Sequence, residues 1–441
     1  MKTKIVISIL LIAAITSAIY LLSNKKEIPF NPQSKTVYIS KSTKGYELIR
    51  NGAPYLIKGV SGKGQNYRLL KAIGANSIRI YDIDNLSEIL DSAQHYGITV
   101  MVGLPIPKSK WIKQFYSNPK NTQRLIDKFS ATIDEHKNHP ALLAWCLGNE
   151  LDFPYKPYYT PFYDCFNKLL SLIKEKDPNH PVTTSLMNFH KRRVNNIKVK
   201  IPELDFISIN TFGILDQLEA QINGYSIIWD GPILLTEWGL SGYWEQERNT
   251  DWGVPFENSS SKKIEKCIYS YNYAMPKDNP NFIGSYFFHW GHKMEYTNSW
   301  FSTFTKEGKP KEIIYALNHL WNGSLKSENK IPLDYLLINN EGFGSDLLLK
   351  PSSRNTANII YSKPISDSLD IKCTIMDEDW FSLRIDSTPS ILTYDESIKI
   401  TDNSTINFNA PKNQGPYRLF VEITNKGSYV SSANIPFYVI E

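Results

Sequence analysis

The chain has 441 residues, room for one large domain and a smaller one. Its 41% hydrophobic and 21% charged residues are those of a folded globular protein, not a disordered one. A net charge of +5, spread without a basic run, argues against a nucleic-acid partner. Cys146, Cys165, Cys267 and Cys373 show no CxxC spacing, so neither a disulfide framework nor a zinc motif is expected.

Residues 1–26 stand apart from the rest. Met1-Lys2-Thr3-Lys4 is basic, Ile5 to Leu22 is uncharged and almost wholly apolar, and Ser23-Asn24-Lys25-Lys26 follows. This pattern predicts a signal peptide or signal anchor, with a small-residue site at Thr16-Ser17-Ala18. Residues 5–22 are just long enough to span a bilayer, so membrane anchoring and an exported, extracytoplasmic location (periplasmic or cell surface) are expected.

From Lys44 to Gly323, short apolar runs alternate with amphipathic ones. Strands are predicted at Tyr55–Val60, Ser77–Tyr81, Ile98–Leu104, Ala141–Leu151, Pro181–Leu186, Asp205–Asn210, Pro232–Thr236 and Phe282–Trp290. Helices are predicted at Tyr67–Ile73, Asn85–Tyr96, Thr122–His136, Phe162–Lys174, around Leu215–Ile222, Ser261–Tyr273 and Lys311–Trp321. Eight strands alternating with helices predict a (β/α)₈ barrel over residues 27–323. An open doubly wound sheet shares the alternation, but no Gly-rich phosphate loop follows the first strand. Asn322 to Lys330 reads as a linker. Short alternating runs such as Ala357–Tyr361, Tyr417–Val421 and Ala433–Val439 then predict a small all-β sandwich over residues 324–441.

Two of the barrel strands end in carboxylates. Ala141–Leu151 (A-L-L-A-W-C-L-G-N-E-L) closes on Gly148-Asn149-Glu150, and Ile233–Gly239 (I-L-L-T-E-W-G) carries Glu237. A carboxylate at the end of a fully apolar strand is costly unless the strand opens into a pocket. In a parallel barrel all strand C-termini share one face, where active sites form. The two glutamates are 87 positions apart, which puts them on strands four and seven, across the barrel mouth. Paired carboxylates there suit glycoside hydrolysis, one donating a proton to the leaving oxygen and the other attacking the anomeric carbon. The bland alternative, two solvated or ion-paired strand ends, fits one glutamate better than both. Rings in the Gly242–Gly253 loop, with Trp111, Tyr155, Tyr158 and Tyr159, are candidate sugar-subsite walls, though rings also pack onto barrel rims. His289 with His292, and His136 with His139, lack further ligands at metal spacing, so no metal and no cofactor is expected.

G-N-E after strand four and T-E-W-G at strand seven resemble glycoside hydrolase clan A. Residues 55–321 are most similar to the family 2 catalytic barrel, and Ser77–Leu104 also resembles the family 72 β-1,3-glucanosyltransferases. The resemblance implies Glu150 as acid/base, Glu237 as nucleophile, and Asn149 on the sugar 2-hydroxyl. It implies Arg79 as the cation that keeps Glu237 ionised and Trp290 as stacking platform; Asn210, ending strand six, and Trp244, in the ring-rich loop, are further candidate substrate contacts. One position departs from the pattern. Phe212, in Asn210-Thr211-Phe212, stands where the clan carries a tyrosine beside the nucleophile. Either a neighbouring tyrosine substitutes or Glu237 is tuned differently. The C-terminal part looks like an immunoglobulin-like module, and binding of carbohydrate by it is an association only. A carbohydrate is the expected partner, and the oligomeric state is open. Three readings remain: a retaining β-glycosidase, a β-glucan transglycosylase, and a non-catalytic surface glycan-binding protein on a decayed barrel.

Overall fold

The chain enters the fold through a small antiparallel sheet absent from the sequence expectation: β1 (Val37–Ser42), β2 (Gly45–Arg50) and β3 (Ala53–Pro54). The computed structural model describes residues 36–246, 248–323, 330–365, 368–378, 397–425 and 427–441. The signal or anchor stretch at residues 1–26 and most of the expected linker lie outside the described residues. Among the described residues no helix is long and apolar enough to cross a membrane. Val37 and Leu48 of the first sheet pack with Met101, Leu143, Phe206, Leu234 and Tyr286, so this sheet covers the end of the barrel where the strands begin.

Eight parallel strands close the barrel in the order β10-β11-β4-β5-β6-β7-β8-β9. They are β4 (Ile57–Gly62), β5 (Ser77–Ile80), β6 (Thr99–Leu104), β7 (Leu142–Leu147), β8 (Val182–Met187), β9 (Phe206–Asn210), β10 (Ile233–Trp238) and β11 (Phe282–Trp290). Every residue of β6, β7 and β10 is buried, as expected of strands covered on both faces.

The surrounding helices are α1 (Tyr67–Ala72), α2 (Leu86–His95), α3 (Pro119–His136), α4 (Thr160–Lys176), α5 (Lys191–Lys200), α6 (Leu218–Asn223), α7 (Ser260–Tyr269) and α8 (Ile313–Asn322). Helix α3 shows why they form where they do. Asn118 caps its N-terminus through Lys120 N, Pro119 occupies the first turn, and Ile126, Phe129 and Ile133 recur at helical spacing on the buried stripe. Helix α5 had no sequence expectation. In Lys191–Lys200 only Val194 and Ile197 are buried, too narrow a stripe to signal a helix.

The centre of the barrel is partly polar beneath the strand ends. Thr183 and Ser208 hydroxyls meet at 2.8 Å and Ser185 and Thr236 at 3.0 Å. Lower down, Tyr286 fills the interior and shares a hydrogen bond with Ser77 at 2.8 Å.

After α8, two four-stranded sheets face each other. One runs β12 (Leu333–Ile338), β14 (Arg354–Tyr361), β17 (Thr405–Asn409), β16 (Ile398–Ile400). The other runs β13 (Leu348–Leu349), β19 (Ser431–Val439), β18 (Gly415–Thr424), β15 (Asp370–Asp377). Ile338, Ile359, Ile406, Leu419 and Phe437 fill the space between them, making a β-sandwich.

Gly59 on β4 shows how tightly the barrel is filled: a Cβ there would lie 2.3 Å from the Tyr286 ring. Gly59→Ala is therefore expected to destabilise the protein by about 1–3 kcal/mol through overpacking, read as a lowered Tm in thermal unfolding.

Candidate active site

The last turns of β5, β7, β9 and β10 deliver the polar residues. Strand β7 ends at Leu147, and Gly148 turns the chain with φ +79°, a conformation glycine adopts without steric cost. Asn149 and Glu150 follow, Glu150 itself at φ +52°, an uncommon conformation for a side-chain-bearing residue. Lys108 Nζ holds this turn by donating to the carbonyls of Asn149 (3.1 Å) and Glu150 (2.7 Å). Glu237 is the penultimate residue of β10.

Arg79, on β5, lies almost wholly buried between these elements. It donates to Glu237 Oε1 (2.9 Å), the Thr236 carbonyl (3.1 Å) and Asn149 Oδ1 (2.7 Å). Asn210, at the end of β9, links the other side. Its Nδ2 donates to Glu150 Oε1 (3.1 Å) and Asn149 Oδ1 (3.2 Å), and its Oδ1 accepts from Ser185 (2.7 Å) and Thr236 (2.8 Å). Both carboxylates are thus gripped by one network. Arg79 takes Glu237, Asn210 takes Glu150, and Asn149 is bound by both.

Tyr81 Oη also donates to Glu237 Oε1, at 3.0 Å, and its ring centroid lies 4.6 Å from the Arg79 guanidinium carbon. This residue was missed in the sequence, where Phe212 marked the absence of a tyrosine beside the nucleophile. The signal was present: Arg79 and Tyr81 are two apart on a strand end and so point to the same side. A tyrosine from the second barrel strand fills the place that Phe212 leaves, which removes the main argument for a decayed site.

Burial pushes the Glu237 carboxyl up to about 7; the Arg79 charge pulls against it, the Glu150 charge adds to it, and the hydrogen bonds from Tyr81 and Arg79 oppose it. Burial also disfavours the Arg79 cation, but its acidic neighbours outweigh this and move it upward, so it stays charged. The Tyr81 phenol is held well above its usual range by burial and by Glu237, so it remains a donor.

The cleft over these groups measures about 830 Å³. Asn149, Glu150, Asn210 and Glu237 line it, with a ring wall of Phe212, Tyr243, Trp244 and Phe288. Trp244 lies in this wall and is 54% exposed. Trp290, the expected stacking platform, is not there. It is fully buried, packs edge-on against Phe304 and donates its indole N–H to the Gln65 carbonyl. The pairing of β11 with β4 shifts register between Phe288 and Trp290, turning Trp290 into the core and leaving Phe288 at the cleft. Asn210 also differs from the expected sugar contact. It borders the cleft, but both ends of its amide are engaged with protein, which makes it a positioning residue. Arg79 likewise serves the carboxylates rather than the cleft surface.

Of the other rings, Trp111, Tyr155 and Tyr158 are exposed but do not border the cleft, and Trp252 packs on Tyr438 of the sandwich. The four cysteines are buried, and Cys146, Cys165 and Cys267 are free thiols. Among the described residues no three His, Cys, Asp or Glu side chains gather as a metal site.

The sequence profile of glycosyl hydrolases family 2, TIM barrel domain, matches residues 63–324, more than half the chain. The chain belongs to glycosyl hydrolase family 2. It is 26% identical over 238 residues to mouse β-glucuronidase, covering 46% of this chain and 33% of that protein. Human β-glucuronidase is 26% identical over 237 residues, covering 46% and 33%. The matched region spans about a third of the length of these curated relatives. Among solved structures, Bifidobacterium dentium β-glucuronidase complexed with coumarin-3-O-glucuronide superposes with TM-score 0.51 at 20% identity, over 65% of this chain and 49% of that one. Dictyoglomus thermophilum β-D-glucuronidase gives 0.50 at 20% identity, over 65% and 54%. Such likenesses speak for the fold alone.

The raised Glu237 value has two consequences with definite sign. The folded state keeps this proton from about pH 4.5, where an unfolded glutamate releases it, up to about 7. Glu237 therefore contributes stability at low pH that is lost as pH rises through that window. For any glycoside that needs ionised Glu237, kcat/KM is expected to rise with pH through about 7. Tyr81→Phe removes a hydrogen bond to the ionised form and is expected to move that limb roughly one pH unit higher, measured as the pH dependence of kcat/KM.

Proposed function

We propose that this protein is a glycosidase that hydrolyses O-glycosyl bonds of β-linked sugars with retention of configuration. The observation that carries the reading is the buried Glu237, held between Arg79 and Tyr81, with Glu150 joined to the same network through Asn210. In the first step a Glu237 oxygen attacks the anomeric carbon, and the departing oxygen takes a proton from Glu150. In the second step water gives a proton to Glu150 and attacks the same carbon, freeing the Glu237 carboxylate. Asn149 accepts from Arg79 and Asn210 through Oδ1, which leaves its amide N–H groups to meet a sugar hydroxyl.

The sugar class is argued from charge. The named activity of the relatives, β-glucuronidase, concerns a sugar bearing a carboxylate. The cleft of this chain is bordered by Asp82, Asp84, Glu245 and Glu295 besides the two central glutamates, against Lys63 and Lys293. Burial holds the nearby His292 below its usual range, so it adds little positive charge near neutrality. A negative sugar entering this field is repelled, so a neutral hexose is the favoured substrate. The same reading has the enzyme act outside the cytoplasm, supported by the basic-then-apolar stretch at residues 1–26 alone.

The test is a panel of aryl β-glycosides: glucoside, galactoside, mannoside, N-acetylglucosaminide and glucuronide. A neutral glycoside is expected to be turned over with the highest kcat/KM; preference for the glucuronide would overturn the sugar assignment, and no turnover of any would overturn the activity. Glu237→Gln is expected to lower kcat by about a thousandfold or more on every substrate. Glu150→Ala is expected to lose far less with a 2,4-dinitrophenyl leaving group, which departs without a proton, than with an alkyl one.

A further inference from the structure

The ring wall of the cleft does not stand on the barrel alone. Tyr243, which borders the cleft, stacks on Tyr296 with centroids 5.0 Å apart and planes 23° from parallel, and meets Trp244 edge-on at 4.8 Å. Tyr296 sits in the loop after β11 at φ +63°, a conformation a bulky side chain keeps only when its surroundings impose it. Those surroundings are Tyr243 and Trp300 on the barrel side and Glu378 and Arg418 on the sandwich side. The Tyr296 hydroxyl points to Glu378 Oε1 at 3.5 Å. Glu378 is paired with Arg418 of β18, whose Nε donates to it at 2.7 Å. Arg418 is itself buried and donates also to Asn434 Oδ1 (2.6 Å) and, back in the barrel domain, to the Pro255 carbonyl (3.0 Å).

Asn434 extends the network to the same loop. Its Nδ2 donates to Glu257 Oε2 at 2.8 Å. Glu257 accepts from Thr297 (2.7 Å) and Ser299 (2.8 Å), the residues on either side of the turn that carries Tyr296 forward to Trp300. Lys263 pairs with Glu257 at 2.5 Å and donates to the Ser299 carbonyl at 2.7 Å. Trp300 closes the circuit by donating its indole N–H to the Ser241 carbonyl, two residues before Tyr243. Buried charges of this kind are fixed in position because any displacement strands one of them.

We propose that Arg418, Glu378 and Asn434 of the C-terminal sandwich are positioning residues for the aromatic wall of the cleft, acting through Tyr296 on Tyr243 and Trp244. The sandwich is then a working part of the active site and not a separable sugar-binding module. This rests on the cleft being the site of action, as proposed above, but its first readout needs no turnover.

The test compares wild type with the double variant Arg418→Met/Glu378→Met, which removes both charges and strands neither. Hydrogen–deuterium exchange of the full chain is expected to become about tenfold faster at the backbone amides of residues 242–246 and 295–301, with strand 142–147 unchanged. Unchanged exchange at 242–246 would overturn the proposal, and so would uniform acceleration across the barrel, which marks general destabilisation. If the double variant does not fold, Tyr296→Phe, which removes only the hydroxyl facing Glu378, is expected to quicken exchange of 242–246 about threefold, and no change there would overturn the proposal. With the aryl glycoside turned over fastest, the variant is expected to raise KM about tenfold with kcat within threefold. An equal loss in kcat without a KM change contradicts positioning. Absence of turnover in wild type bears on the glycosidase reading and leaves the exchange result to decide this one.

Discussion

The ion pair between Arg79 and Glu237 is the constraint around which the barrel mouth is built. Both side chains are nearly inaccessible to solvent, at 1% and 8%. A carboxylate in such a place is tolerable only if its charge is met, and removing either partner typically costs about 3–5 kcal/mol because the other is left uncompensated. The remaining polar residues follow from that need. Tyr81 supplies a second donor to Glu237, the Thr236 carbonyl and Asn149 accept from Arg79, and Asn210 ties Asn149 to Glu150. The hydroxyls of Ser185 and Thr236 support Asn210 from below. What reads as a catalytic pair is the cleft-facing end of a hydrogen-bonded layer that runs across the barrel.

A second dependence joins the two domains. The cleft is walled in part by Tyr243 and Trp244 on the loop after β10, which leans on Tyr296 and Trp300 of the loop after β11. Buried charges bridge from these loops to the sandwich, Glu257 and Lys263 on one side and Arg418 and Glu378 on the other. Glu237 sits on strand β10 and Glu150 in the tight turn after β7, while the rings sit on longer loops that also contact the sandwich. On the proposed reading, chemistry and sugar recognition thus depend on different parts of the chain.

The barrel was legible because its signal is local and repeated. Eight apolar runs in β4 to β11 alternate with amphipathic helices, and Glu150 and Glu237 each close such a run. The sandwich was legible from short runs between turn residues, those of β14, β18 and β19. What escaped were features that depend on three-dimensional register. Trp290 looked like a strand end facing the cleft, but the register shift beside it turns it inward and brings Phe288 forward. Tyr81 was passed over because its partner, Glu237, lies 156 residues away. Helix α5 gave no periodic signal because it buries two residues only, and the Arg418–Glu378 bridge pairs residues whose meeting no local pattern announces.

The central claim is that Glu237 is the nucleophile that forms a covalent bond with the sugar. The most direct measurement is trapping with 2-deoxy-2-fluoro-β-glycosyl fluorides, followed by intact mass and peptide mapping. The account predicts a single added glycosyl group, located on Glu237, and its loss in Glu237→Gln. Labelling of a different residue, or turnover of the parent sugar with inverted product and no trapped species, would contradict it.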